Sequence, residues 1–324
     1  MVTITTNSKV AIIRSLVKLA ILLAVIGGVL LLTHNEDSYT PSTRLKELKT
    51  LWKHIDDSDT LNYFVGSSRV SASINDKLLD SLSSSKQRFH NLGVNHFSFI
   101  ENTVLADYLL GTPGYKRIFV ELSPIRTKAH TSLLPLCQQL DVNPVNSVAT
   151  IMAFSGFQII PVVEDIVVHQ ASSILLSRNT LKSYIGLEAQ ESIKDWFGYR
   201  SWNSPVTIPR DPLFLRLEDF EATAHIPSKI DMYLKVIGKL TIKAKKHNAQ
   251  LIFFLPMTFR REEERAITIP IFNKLAKPNR LEYSASFVEQ IGKTALLSDS
   301  FHYHGQGATL YSELFSQELK NKGF

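Results

Sequence analysis

Hydrophobic positions fall into three regimes along the chain. Near the N-terminus they run together: residues 19–32 read LAILLAVIGGVLLL and hold no charge. From about residue 61 they come as short apolar runs separated by longer segments with helical spacing. The runs RIFVEL (117–122) and QLIFFLP (250–256) are continuous rather than alternating, the pattern of strands buried on both faces of a parallel sheet. Strands are predicted over Leu61–Val65, Arg88–Leu92, Arg117–Leu122, Gln250–Leu255 and Ala295–Ser298. Helices are predicted over Ser71–Ser81, Thr103–Leu110, Ile230–His247, Ser284–Lys293 and Gly307–Lys320. The expected fold class is α/β: a three-layer sandwich around a mostly parallel five-stranded sheet, over residues 61–324. Between about 125 and 228 the rhythm breaks into mixed helical pieces, with Trp196, Trp202 and a proline-punctuated stretch, NSPVTIPRDP. This reads as a helical insertion on the carboxyl side of the sheet, where ligands bind in open α/β folds; it either shapes a substrate site or caps the structure.

The N-terminal run sets the expected compartment. Residues 19–32 alone are short for a membrane span and match the core of a signal peptide. No small-x-small cleavage site follows, however, and the preceding VAIIRSLVK is also largely apolar. Val10–Leu32 as one helix would be roughly 34 Å long, enough to cross a bilayer, with Arg14 and Lys18 reaching toward the headgroups. Lys9, Arg14 and Lys18 precede the uncharged run 19–32; Glu36 and Asp37 follow it. The positive-inside rule then keeps the N-terminus in the cytoplasm and the rest outside. A cleaved signal peptide, the alternative, leaves the main domain on the same side. Residues 36–60 read as a polar linker with a short helix around Leu45–Ile55.

Composition adds limits. With 324 residues, 44% hydrophobic and 20% charged, the chain has ample material for a core. The net charge of +6 falls to about +3 once the three basic residues of the N-terminus are set aside. That is too mild for a nucleic-acid binder, and Lys243, Lys245 and Lys246 read as a solvated helix face. A single cysteine, Cys137, excludes an intramolecular disulfide framework and a cysteine-rich zinc site.

Two stretches carry candidate chemistry. YFVGSSRVSASIND (63–76) runs from an apolar strand through Gly66 into a helix. A serine there meets free N–H groups and a partial positive charge at the helix start. Ser67 and Ser68 both fit, and either could equally be a plain cap. Near the other end, LLSDSFHYHGQG (296–307) sets Asp299 three residues before His302. In a turn that spacing lets the carboxylate hold one ring nitrogen and leave the other as a base. His304 is the runner-up base. The His-Tyr-His pair raises a metal site, but no third ligand stands at a suitable spacing, and no cofactor is expected.

Taken together, strand-GSSR-helix, the Asn-Leu-Gly turn at 91–93 and Asp-x-x-His before the last helix resemble the SGNH (GDSL-type) hydrolases. The resemblance covers residues 61–124 and 250–320, not the insertion. It implies Ser68 as nucleophile, His302 as base, Asp299 as its orienting acid, and the N–H groups of Ser68 and Gly93 as oxyanion donors. The family's Asn of the third block is missing: the third strand ends VELSP, leaving Asn95 as a substitute or backbone donors alone. Within the superfamily the chain is similar to the membrane-anchored D-alanyl-transfer proteins and exopolysaccharide acyltransferase partners. That similarity implies an extracytoplasmic serine acyl-esterase or O-acyltransferase acting on an acylated sugar or polysaccharide, with a multi-span membrane O-acyltransferase as partner. Arg69 is a candidate contact for an anionic sugar, set against an ordinary surface arginine. The alternative function is a non-catalytic assembly or binding protein that keeps the fold. The sequence does not separate transfer from hydrolysis.

Overall fold

A computed structural model of the chain describes residues 43–54, 59–83, 86–125, 132–152, 160–175, 198–201, 227–258, 260–299 and 301–324. The predicted anchor, much of the insertion, both Trp196 and Trp202, and the NSPVTIPRDP stretch lie outside the described residues. Among those described, no helix is long and apolar enough to cross a membrane.

The continuous apolar runs become strands because both their faces are covered. β1 (Thr60–Gly66), β2 (Gln87–Gly93), β3 (Tyr115–Glu121) and β4 (Ala249–Phe254) pair in parallel in the order β2-β1-β3-β4. Phe64 stands opposite Asn91 on β2 and Phe119 on β3. Alternate residues of a strand point to opposite faces. On one face Phe64 packs on Phe315 of α11 (Gly305–Asn321), and Asn91 bonds into α2 (Ser68–Ser73), which leads to α3 (Asp76–Leu82). On the other face the hydroxyl of Tyr63 accepts from the indole of Trp52, just past α1 (Thr43–Leu51). That indole in turn packs on Tyr108 of α4 (Phe99–Leu110).

The described parts of the insertion are helical: α5 (Leu133–Leu140), α6 (Pro144–Met152) and α7 (Ile160–Leu175). α5 and α6 pack against α4, and Leu136, Val148 and Ile166 join the core. Cys137 of α5 is buried, which pushes its thiol up to about 12 and keeps it neutral. The chain then forms α8 (Pro227–Lys246), β4, α9 (Glu262–Lys274) and α10 (Ala285–Ile291) before α11.

Two elements differ from the sequence expectation. The sheet has four strands among the described residues, not five. Residues Thr294–Leu296 form a 3-10 turn, and Leu297 makes a single antiparallel bridge to Tyr303. That segment pairs with the loop carrying His302, and the outer edge of β4 is met instead by Arg280 and Leu281. The helix expected over Ser71–Ser81 is two helices: Ile74 ends α2 in extended backbone, and Asn75 caps α3, its side chain accepting from Leu78 N–H.

His90 on β2 gives the fold a pH signature. It is buried and stacked on Tyr63, and neither ring nitrogen has a hydrogen-bond partner. Burial, helped by nearby Arg44 and Arg88, pulls its pKa down to about 3. The unfolded chain protonates this imidazole near its ordinary value of about 6.5, so between those limits the unfolded state binds more protons. Stability is therefore complete above about pH 6.5 and falls as the pH drops toward 3. Urea unfolding at pH 7 and 4.5 should show the wild type losing about 2–3 kcal/mol more than His90→Phe.

Candidate active site

The strand order reverses direction between β1 and β3: the chain steps from β1 to β2 on one side, then returns to β3 on the other. A crevice opens at such a switch point, beyond the carboxyl ends of the strands. Here it is a cavity of about 470 Å³, in the range of small-molecule sites. All four strand exits contribute to it: Ser67 and Ser68 after β1, His96 and Phe97 after β2, Ser123 and Pro124 after β3, and Arg261, Glu263 and Glu264 after β4. Phe301 and His302 close it from the last loop.

The two adjacent serines make different contacts. Ser67 is the cap: its Oγ accepts from Arg69 N–H at 3.2 Å. Ser68, the first residue of α2, points its Oγ at His302 Nε2, 2.8 Å away. His302 Nδ1 lies 2.9 and 2.8 Å from the two carboxylate oxygens of Asp299. Donation from Nδ1–H to the carboxylate leaves Nε2 to accept the serine proton. Asp299 Oδ1 also accepts the N–H groups of Phe301 and His302, at 2.7 and 2.8 Å, which shapes the turn that delivers the ring. Buried Tyr303 pins the other side of that turn through its hydroxyl to Met257 O.

His304 does something else. Its Nδ1 accepts from Gly307 N–H and its Nε2 contacts Ala295 O at 2.7 Å, so it caps α11. Among the described residues no three His, Cys, Asp or Glu side chains gather as a metal site.

The expected oxyanion donors fare differently. Among the described residues the Ser68 N–H donates to no other group, and α2 directs it out of the helix start. The Gly93 N–H is already committed to Asn91 Oδ1 at 2.8 Å, and Gly93 does not line the cavity. Gly93 instead serves packing. A Cβ there would stand 2.4 Å from Ser71 N, so only glycine lets α2 seat on β2. Asn95 is off the cavity wall, whereas the next residue, His96, lines it with left-handed backbone at φ 67. Gly93→Ala keeps the N–H but pushes α2 outward. It should cost about 1–3 kcal/mol of stability by urea unfolding; a pure donor would tolerate the change.

Sequence reading missed two further parts and the buried pairing of Arg69. Asn91 braces α2, donating to Val70 O at 3.0 Å and Ile74 O at 2.6 Å. Residues 198–201 return from the insertion to α2: Ser71 Oγ donates to Gly198 O at 2.6 Å and Arg200 N–H to Ser71 O at 3.0 Å. Arg69 is not a surface residue. Its guanidinium pairs with Glu264 and lies 5.4 Å over the Phe301 ring. Burial opposes its charge, but Glu264 and then Glu121 more than offset this and raise its pKa.

Comparison with protein-family models, with characterised proteins and with solved structures found no match.

Proposed function

We propose that the chain is a serine acyl-esterase or O-acyltransferase of the SGNH type. In this reading it is held to the outer face of the cytoplasmic membrane by residues 10–32 and works on an acylated envelope or secreted polysaccharide. The observation that carries the chemistry is the 2.8 Å contact from Ser68 Oγ to His302 Nε2, with the Asp299 carboxylate on the opposite ring nitrogen. A nucleophile, a base and a group orienting the base are the minimum for acyl transfer through a covalent intermediate.

The steps follow from that arrangement. Ser68 Oγ bonds to the acyl carbonyl carbon as its proton passes to His302 Nε2. Asp299 stabilises the imidazolium, and the Ser68 N–H faces the developing oxyanion. Collapse breaks the bond to the leaving alcohol, which takes the proton from His302, and leaves an acyl-Ser68 ester. A second hydroxyl then attacks with His302 again as base: water gives hydrolysis, a sugar hydroxyl gives transfer. The aromatic walls, Phe97 and Phe301, suit an acylated sugar held against the serine. A multi-span O-acyltransferase would be the acyl-donor partner.

A second reading, a non-catalytic binding protein of a polysaccharide acylation system, is favoured by the oxyanion side of the site. β3 exits as Leu122-Ser123-Pro124 without an Asn, and the Gly93 N–H is taken. Each missing donor costs about 10²–10³ in rate.

Intact mass of the full-length chain in detergent, after p-nitrophenyl acetate, tests the choice. An added acetyl group, or nitrophenolate release, that Ser68→Ala lacks is the expected result. Absence of both in the wild type would leave the binding reading.

A further inference from the structure

Both neighbours of Ser68 in the chain are tied to one buried cluster of charges. On the N-terminal side, the Ser67 N–H donates to Glu121 Oε2 at 2.6 Å. On the C-terminal side, the Arg69 guanidinium donates to Glu264 Oε1 and Oε2, at 2.5 and 2.9 Å, and reaches Glu121 Oε1 at 3.5 Å. Arg260 completes the group, bonding Glu264 Oε1 at 2.7 Å and Leu122 O at 3.1 Å, with Glu121 Oε1 3.8 Å away. The side chains of Glu121 and Arg260 are fully buried, and those of Arg69 and Glu264 nearly so. Two acids and two guanidiniums alternate, so the cluster is neutral in sum. Its members come from three separate places: the turn after β1, the end of β3, and the start of α9.

Gly66 makes the contact possible. A Cβ there would stand 2.6 Å from Glu121 Oε2 and 2.2 Å from Val70 Cγ2. The carboxylate lies where a side chain of Gly66 would be, close enough to take the next N–H. From the far side, Arg69 also covers Phe301, the neighbour of His302. One network therefore holds the serine turn and touches the histidine loop.

Buried ion pairs are a poor means of gaining stability, because desolvation offsets most of their attraction. What charged forks supply is fixed geometry. We propose, resting on the reading of Ser68 as nucleophile, that Glu121, Arg69, Glu264 and Arg260 are positioning residues that hold Ser68 Oγ against His302 Nε2. Glu121 uses one oxygen for the Ser67 N–H and the other for the two guanidiniums. An amide has only one acceptor oxygen, so Glu121→Gln cannot satisfy both. Arg69→Lys keeps the charge but loses the two-pronged hold on Glu264.

The test is phosphonylation of the full-length chain by an alkyl fluorophosphonate. The Ser68 Oγ–P bond forms, fluoride leaves, and His302 takes the hydroxyl proton. Wild type should be labelled at Ser68, and Ser68→Ala not; an unlabelled wild type would overturn the nucleophile reading and the inference with it. With labelled wild type, Glu121→Gln should lower the maximal labelling rate about 100-fold, the scale of a misplacement near 1 Å, with the half-saturating probe concentration within about twofold. Arg69→Lys, at the rim of the cluster, should lower the rate about 10-fold at unchanged melting temperature, and it carries the test if Glu121→Gln does not fold. Wild-type maximal rates in the folded variants would sink the positioning role while leaving the nucleophile intact.

Discussion

His302→Ala is expected to slow turnover of an activated acyl ester about 10³-fold, within the span that a positioned general base supplies. The fall should appear in kcat, with KM little changed, because the imidazole acts on the proton in flight rather than on the bound ester. The fold should survive. The turn before α11 is held by Asp299 Oδ1 on two N–H groups and by Tyr303 on Met257 O, neither of which needs the imidazole. The double variant Ser68→Ala/His302→Ala gives the sharper result: it should be no slower than Ser68→Ala alone, since groups acting as one unit lose their effect together. Additive losses would mean that His302 works on something other than the Ser68 proton.

The parts of this arrangement that could be read from sequence are those written in local pattern. β1, β3 and β4 show as apolar runs because their inner residues are buried; the expected Leu61–Val65 and Gln250–Leu255 lie within a residue or two of β1 and β4. The fifth, Ala295–Ser298, misleads for a physical reason. Ala-Leu-Leu is as apolar as a strand, but Leu297 is buried by pairing back onto Tyr303, not by joining the sheet. Ser68, Asp299 and His302 are legible because a turn chemistry surrounds each of them.

What the sequence hides is long-range pairing. Glu121 shows only as part of VELSP, Arg69 as a helix-start arginine, and Arg260 and Glu264 lie in MTFRREEER, a charged stretch that carries no motif. α9 carries Pro270 inside it and three glutamates in its first turn, which blur its apolar face. No spacing rule joins residues 69, 121, 260 and 264; only the crossing of three chain segments at the sheet's carboxyl edge does. The role given to Gly93 shows the same limit from the other side. A glycine in a motif can donate an N–H or admit a helix. The choice depends on Asn91, two residues away, whose side chain takes that N–H.

Asp299→Asn should cost about 10²–10⁴-fold in kcat with little loss of stability. The two jobs of this carboxylate respond differently to the change. The asparagine Oδ1 can still accept the N–H groups of Phe301 and His302, so the turn stays formed. The second oxygen becomes an NH₂ donor facing Nδ1, and Oδ1, though 2.9 Å from Nδ1, already accepts the two backbone N–H groups and is left a poor acceptor for a third. The ring then favours the tautomer with its proton on Nε2, which faces Ser68 Oγ with a donor where an acceptor is needed. Asp299 is about one-third exposed, so water competes for the ring and the loss should fall short of that at a fully buried acid. Nitrogen-15 spectra of the labelled imidazole read the tautomer directly: Nδ1 protonated in the wild type, Nε2 protonated in Asp299→Asn. Asp299→Ala, which also frees both N–H groups, should lower the melting temperature and lose activity together. An Asp299→Asn protein with wild-type kcat would mean that the carboxylate shapes the turn alone, and that His302 finds its working tautomer without it.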